Sequence, residues 1–69
     1  PREDSANLAL MGEAERMWAE ALGDERVYLE ELIEEFERAM DSQDLHICDT
    51  ARQELEQCLA RLRESRGHW

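Results

Sequence analysis

Three consecutive stretches of this 69-residue chain each repeat apolar residues at the three- and four-residue spacing of an α-helix. Only two short polar joints separate them, Gly23-Asp24 and the segment 41–44. Joints of this length bring neighbouring helices back alongside each other. The sequence therefore predicts an all-α fold, a three-helix antiparallel bundle with helices at about 5–22, 25–40 and 45–65.

The residues of the two joints predict how the helices begin and end. Gly23 follows the last residue of the first stripe, where a left-handed residue commonly ends a helix. Asp24 is then expected to be the N-cap of the second helix, and Asp44 or Ser42 that of the third. On the second helix, Glu34 and Arg38 stand at the spacing of a favourable ion pair.

The predicted core consists of the apolar residues that share one side of each helix. Its main members are Leu10, Met11, Ala14, Met17, Trp18, Leu22, Leu29, Leu32, Ile33, Phe36, Met40, Cys48, Leu55, Cys58, Leu59 and Leu62. The same stripes also contain Ala21, Tyr28, Ala39, Leu45, Ile47 and Ala51.

Three residues outside these stripes are candidate partner contacts. Val27 points away from the apolar side of its helix, either as a tolerated first-turn hydrophobe or as a contact with another protein. Leu8 and Gly12 lie on a second side of the first helix, where small residues would let another helix approach closely. Trp18 is either a core anchor or the wall of a ligand groove.

The two cysteines, Cys48 and Cys58, lie on the third predicted helix. Their separation in sequence corresponds to about 15 Å along the helix axis. A disulfide requires Cα atoms within about 7 Å, so the two cannot pair within one folded chain. Both fall on the apolar stripe, where a free cysteine behaves as a small hydrophobe. An intermolecular or redox role is the alternative.

Acidic residues outnumber basic ones by 18 to 8, which gives a formal net charge of −10. Most of the excess lies in residues 1–43, which form the first two helices. Such a surface repels nucleic acid and anionic membranes, so we expect neither as a partner. The acidic faces are either solvated helix faces or a surface for a basic protein.

No residues of the sequence are spaced like a catalytic, cofactor or metal site. His46 and Cys48 lie about 200° apart around a helix, so they cannot bind one metal ion together. A Gly-rich phosphate loop and the Glu/His spacing of a di-iron bundle are both missing. We therefore predict a protein that is not an enzyme, with no catalytic residue, cofactor or metal.

Size and hydropathy set the expected organisation. A chain this short buries only roughly 60% of its unfolded surface. We expect residues 1–69 to form a single helical domain, a fragment of a larger protein, with 1–4 and 66–69 frayed. The His68-Trp69 pair is either part of that frayed end or a recognition element. The sequence has neither an apolar run of about 18 residues nor a signal peptide, so we expect a cytoplasmic location.

Three segments together carry a family resemblance: LALMGEAERMW (8–18), DERVYLEELIEEFERAMDSQD (24–44) and ARQELEQCLARL (51–62). They resemble the C-terminal α-helical lid of Hsp70 (DnaK-type) chaperones, most closely the cyanobacterial and other divergent bacterial members. In that family an amphipathic helix is followed by a short polar loop with an acid. The next helix carries a Glu-Leu-x-x-x-Leu run, which stands here at Glu54, Leu55 and Leu59.

The resemblance implies a non-catalytic lid module. The parent chaperone would bind unfolded peptides in a β-sandwich under the control of an ATP-binding domain, and neither domain lies in these residues. The partner would be the rest of that chaperone. The alternative that the residues leave open is a free-standing acidic adaptor for protein binding, including a homodimer, with Val27, Leu8 and Gly12 as contacts.

Overall fold

A computed structural model describes residues 4–66 of the chain, apart from the side chain of Arg66. Across this range the chain forms three helices, α1 (Ser5–Glu20), α2 (Gly23–Ser42) and α3 (Leu45–Arg66), and no strand. Each helix contacts both of the others, and α2 and α3 share the most extensive interface. The predicted all-α three-helix bundle is confirmed.

The first joint differs from the sequence prediction. Helix α1 ends two residues early, because Ala21 and Leu22 are both extended. Gly23 does have a positive φ, of 61°, but it begins α2 and does not cap α1. The predicted N-cap at Asp24 is wrong, since Leu22 occupies that position without a side-chain hydrogen bond. Asp24 instead lies in the first turn of α2, where a carboxylate opposes the helix dipole favourably.

The second joint follows the expected chemistry. Gln43 takes the left-handed conformation that ends α2. The carboxylate of Asp44 accepts hydrogen bonds from the backbone N–H groups of His46 at 2.9 Å and Ile47 at 3.2 Å. Ser42 Oγ accepts one from the Asp44 N–H at 3.2 Å. Of the two candidate caps for α3, Asp44 is therefore the one that the structure uses.

At each end that was predicted to be frayed, the structure describes one residue. The Asp4 carboxylate accepts a hydrogen bond from the Ala6 N–H at 2.8 Å, so Asp4 is the N-cap of α1. Arg66 is the last residue of α3. The rest of the predicted ends, 1–3 and 67–69 with His68 and Trp69, lies outside the described residues.

A single hydrophobic core lies between the three helices, and its largest fully buried side chains are Phe36, Leu29, Leu55 and Leu59. Of the predicted core, Met11, Trp18 and Ile33 are only partly buried against it. The other predicted members except Leu22 are buried. They are Leu10, Ala14, Met17, Leu29, Leu32, Phe36, Met40, Cys48, Leu55, Cys58, Leu59 and Leu62.

Four apolar residues of the predicted stripes are exposed instead of buried. Leu22 is 80% exposed, because the extended link carries it out of the helical register. Leu45 is 71% exposed, and Ile47 and Tyr28 are about half exposed. Leu45 and Ile47 lie in the first turn of α3, and Tyr28 lies in the second turn of α2. Helical spacing fixes the direction of a side chain around the axis, but it does not show whether a neighbouring helix reaches that level.

Candidate interaction surfaces

The exposed large apolar side chains form two groups at opposite ends of the bundle. Leu22, Val27 and Tyr28 surround the first joint. Leu45 and Ile47 begin α3, and Leu8 belongs to the same end because its neighbour Asn7 contacts Cys48. The predicted contacts Val27 and Leu8 therefore lie towards different ends of the bundle.

Gly12, the third predicted contact, does not offer an open approach. A Cβ atom at this position would lie 3.5 Å from Nη1 of Arg16, one turn further along α1. The end of the Arg16 side chain therefore lies beside Gly12. Arg16 also lines a shallow groove whose other wall is α3, where Arg63 forms an ion pair with Glu13.

One groove, of about 390 Å³, lies between α2 and the beginning of α3. Its lining includes two small buried residues, Ala39 and Ala51, and the half-exposed Ile47. Polar side chains of both signs complete it: Glu35, Arg38, His46 and Thr50. The mixture of charges gives this groove no clear preference for a basic or an acidic ligand.

A third groove, of about 210 Å³, lies between α1 and α2 and is called here the Trp18 groove. Its apolar lining residues are Trp18 and Ile33, both partly buried. All its other lining residues in the described part of the chain are acidic: Glu15, Glu30, Glu34 and Glu37. The Trp18 groove thus combines an aromatic wall with a concentration of negative charge.

Trp18 makes one polar contact and lacks another. The guanidinium of Arg26 lies 3.8 Å from the ring centroid, which is the geometry of a cation–π interaction. The indole Nε1 is buried and has no hydrogen-bond acceptor within residues 4–66. A buried N–H group without an acceptor lowers stability.

Both cysteines are free and buried. Asn7 Nδ2 lies 4.0 Å from Cys48 Sγ, in weak hydrogen-bond geometry. Sequence reasoning missed that Asn7 is buried, although it stands three and seven residues before Leu10 and Ala14 on the same stripe. Burial raises the pKa of the Cys58 thiol above its ordinary value of 9.0, with a smaller lowering by Arg61 and a smaller raising by Glu25.

No group of three or more His, Cys, Asp and Glu side chains within residues 4–66 is arranged to bind a metal ion. None of the three helices, as described, is long and apolar enough to cross a membrane. Comparison with models of protein families, with curated proteins and with solved structures finds no match to the chain.

Proposed function

We propose that the chain is a non-catalytic helical module that acts by binding the surface of another protein. The observation that carries this proposal is the exposure of large apolar side chains on a bundle whose core is already filled. Leu22 and Leu45 are the most exposed of them, and they lie in the two end groups described above. Grouped apolar side chains on the surface of a small domain are typical of interaction sites.

The specific form that we favour is the lid of an Hsp70-type chaperone in the cytoplasm. The resemblance that supports it covers segments in all three helices, and the polar second joint lies where the family has its acidic loop. In this form the module closes over bound unfolded peptide, under the control of an ATPase domain elsewhere in the parent. The alternative is a free-standing acidic adaptor or homodimer.

Two measurements test these proposals separately. For protein binding, the tagged native polypeptide is purified from its source cells, and a stoichiometric protein partner is expected to copurify. Leu22→Ser with Leu45→Ser should remove the partner, whereas Glu31→Gln with Glu56→Gln should not. Copurification that is equal for both pairs of substitutions, or the absence of any partner, would contradict the proposal.

For the lid, the native polypeptide that carries this sequence is sized by immunoblot and applied to ATP-agarose. A polypeptide several times larger than 8.1 kDa that binds the resin is the expected result. A polypeptide of about 8.1 kDa that passes through would reject the lid and leave the adaptor.

A further inference from the structure

We propose that the Trp18 groove binds an arginine-bearing segment of a partner protein, with the guanidinium held among carboxylates beside the Trp18 indole. This inference rests on the proposed function, since it names the kind of partner for one surface of the module. It concerns a surface different from the exposed apolar ends.

The charge around the groove is the first reason. Its lining combines four glutamates with no basic residue in the described part of the chain. Three of these, Glu15, Glu30 and Glu34, form no ion pair with any residue from 4 to 66. The expected Glu34–Arg38 pair does not form, because Arg38 lines the groove on the other side of α2. The negative charge at the Trp18 groove is therefore available to a cation.

The chemistry of the indole is the second reason. Arg26 already shows that the Trp18 ring accepts a guanidinium at 3.8 Å. Arg26 is not a lining residue of the groove, but it occupies one face of the ring, so an added guanidinium would contact the part of the indole that Arg26 leaves uncovered. A guanidinium is planar and weakly hydrated, and it can contact an aromatic ring while its N–H groups donate to carboxylates. Ile33 offers an apolar surface for the methylene groups of the same side chain.

The net charge of the chain indicates which kind of ligand would occupy the Trp18 groove. Two copies would each carry a formal charge of −10, so a second copy meets repulsion at this acidic face. Phosphate-bearing ligands and anionic membrane surfaces are repelled for the same reason. A basic protein segment is attracted at long range, which raises its association rate. Arginine is preferred to lysine, whose ammonium is more strongly hydrated and cannot stack.

The experiment uses the full 69-residue chain labelled with ¹⁵N and a capped alanine-based helical peptide with one row of arginines. A peptide of the same sequence with citrulline at each arginine keeps the shape and removes the charge. The arginine peptide should shift the indole N–H resonance of Trp18 and the backbone resonances of Ile33 and Glu34. The citrulline peptide should shift none of them. Binding should weaken as the salt concentration rises.

Matched variants locate the binding site. Glu30→Gln with Glu34→Gln should raise the Kd for the arginine peptide by about fivefold, the effect of removing exposed charge pairs. The control, Glu31→Gln with Glu56→Gln, removes the same charge from exposed positions outside the groove and should change the Kd by less than about twofold. Trp18→Phe should also weaken binding, since phenylalanine is the poorer cation–π partner.

Three outcomes would overturn the proposal. Equal weakening by the two pairs of substitutions would mean diffuse attraction to the acidic surface. Shifts at Leu45 and Ile47 without shifts at Trp18 would place the peptide elsewhere and would leave the proposed protein-binding function intact. Failure of the arginine peptide to bind at low salt would reject arginine binding at the Trp18 groove. It would not reject protein binding by the module, which the copurification experiment tests separately.

Discussion

The guanidinium of Arg26 lies 3.8 Å from the centroid of the Trp18 ring and so joins the first turn of α2 to the last turn of α1. The two residues flank a joint in which α2 lacks a side-chain N-cap. A cation–π contact across this joint therefore stabilises a connection whose second helix begins without a side-chain cap.

Arg26→Gln should lower the free energy of unfolding by about 0.5–1 kcal/mol, the usual contribution of an exposed cation–π contact. Arg38→Gln is the matched control, because Arg38 lies on the same helix, is exposed and contacts no aromatic ring among residues 4–66. Urea denaturation followed by circular dichroism measures both. An equal effect of the two substitutions would mean that the Arg26–Trp18 contact contributes nothing specific.

The core is tested by two leucines of α3 that the sequence placed on one stripe. Leu55 is fully buried, so Leu55→Ala should cost roughly 2–5 kcal/mol, a large part of the stability of so small a domain. Leu45 is 71% exposed, and Leu45→Ala should change stability by less than about 0.5 kcal/mol. The midpoint of thermal unfolding measures both. A similar loss for the two variants would contradict the position of Leu45.

Two glycines should respond to alanine with opposite signs. At Gly23 the positive φ of 61° makes any side chain strained, although no atom lies within 4 Å of the added Cβ, so the cost is roughly 1–2 kcal/mol. At Gly12, in the middle of α1, alanine should stabilise the protein by about 0.5–1 kcal/mol. The added Cβ would meet only the end of a flexible arginine at 3.5 Å. A neutral Gly23→Ala would contradict the joint as described.

The sequence predicted the direction of side chains around each helix better than their level along it. Leu55 and Phe36 lie in the middle of their helices, where the other helices surround them, and both are fully buried. Leu45 has the correct spacing but is the first residue of α3. Leu22 is exposed because the chain leaves the helix after Glu20.

The candidate site shows the same limit. The acidic side of α2 could be read from spacing alone, and Trp18 was recognised as either a core anchor or a groove wall. The arrangement of Trp18 beside Glu15 of α1 and Glu30 of α2 could not be predicted from spacing. The relative rotation of two packed helices depends on how their side chains interlock. The exposed Leu22 likewise depends on the backbone conformation of one joint.

Burial of the Cys58 thiol predicts how stability changes in alkaline solution. Its raised pKa means that the folded chain keeps this proton at a pH where the unfolded chain, with an ordinary value of 9.0, has lost it. The unfolded state then binds fewer protons than the folded state, so the free energy of unfolding falls as the pH rises. This contribution to stability is complete below pH 9.0 and is lost progressively above it.

Urea denaturation at a series of pH values from neutral to alkaline tests this prediction, with Cys58→Ala as the control. The variant removes the thiol and lowers stability at every pH through lost packing. The test therefore compares how steeply the free energy of unfolding changes with pH in the two proteins, and not its absolute value. All other side chains are the same in the two proteins, so only the Cys58 thiol differs between them. The parent chain should lose stability more steeply than the variant above pH 9.0. Parallel curves would show that Cys58 ionises equally in the folded and unfolded states, which would contradict its burial in the core.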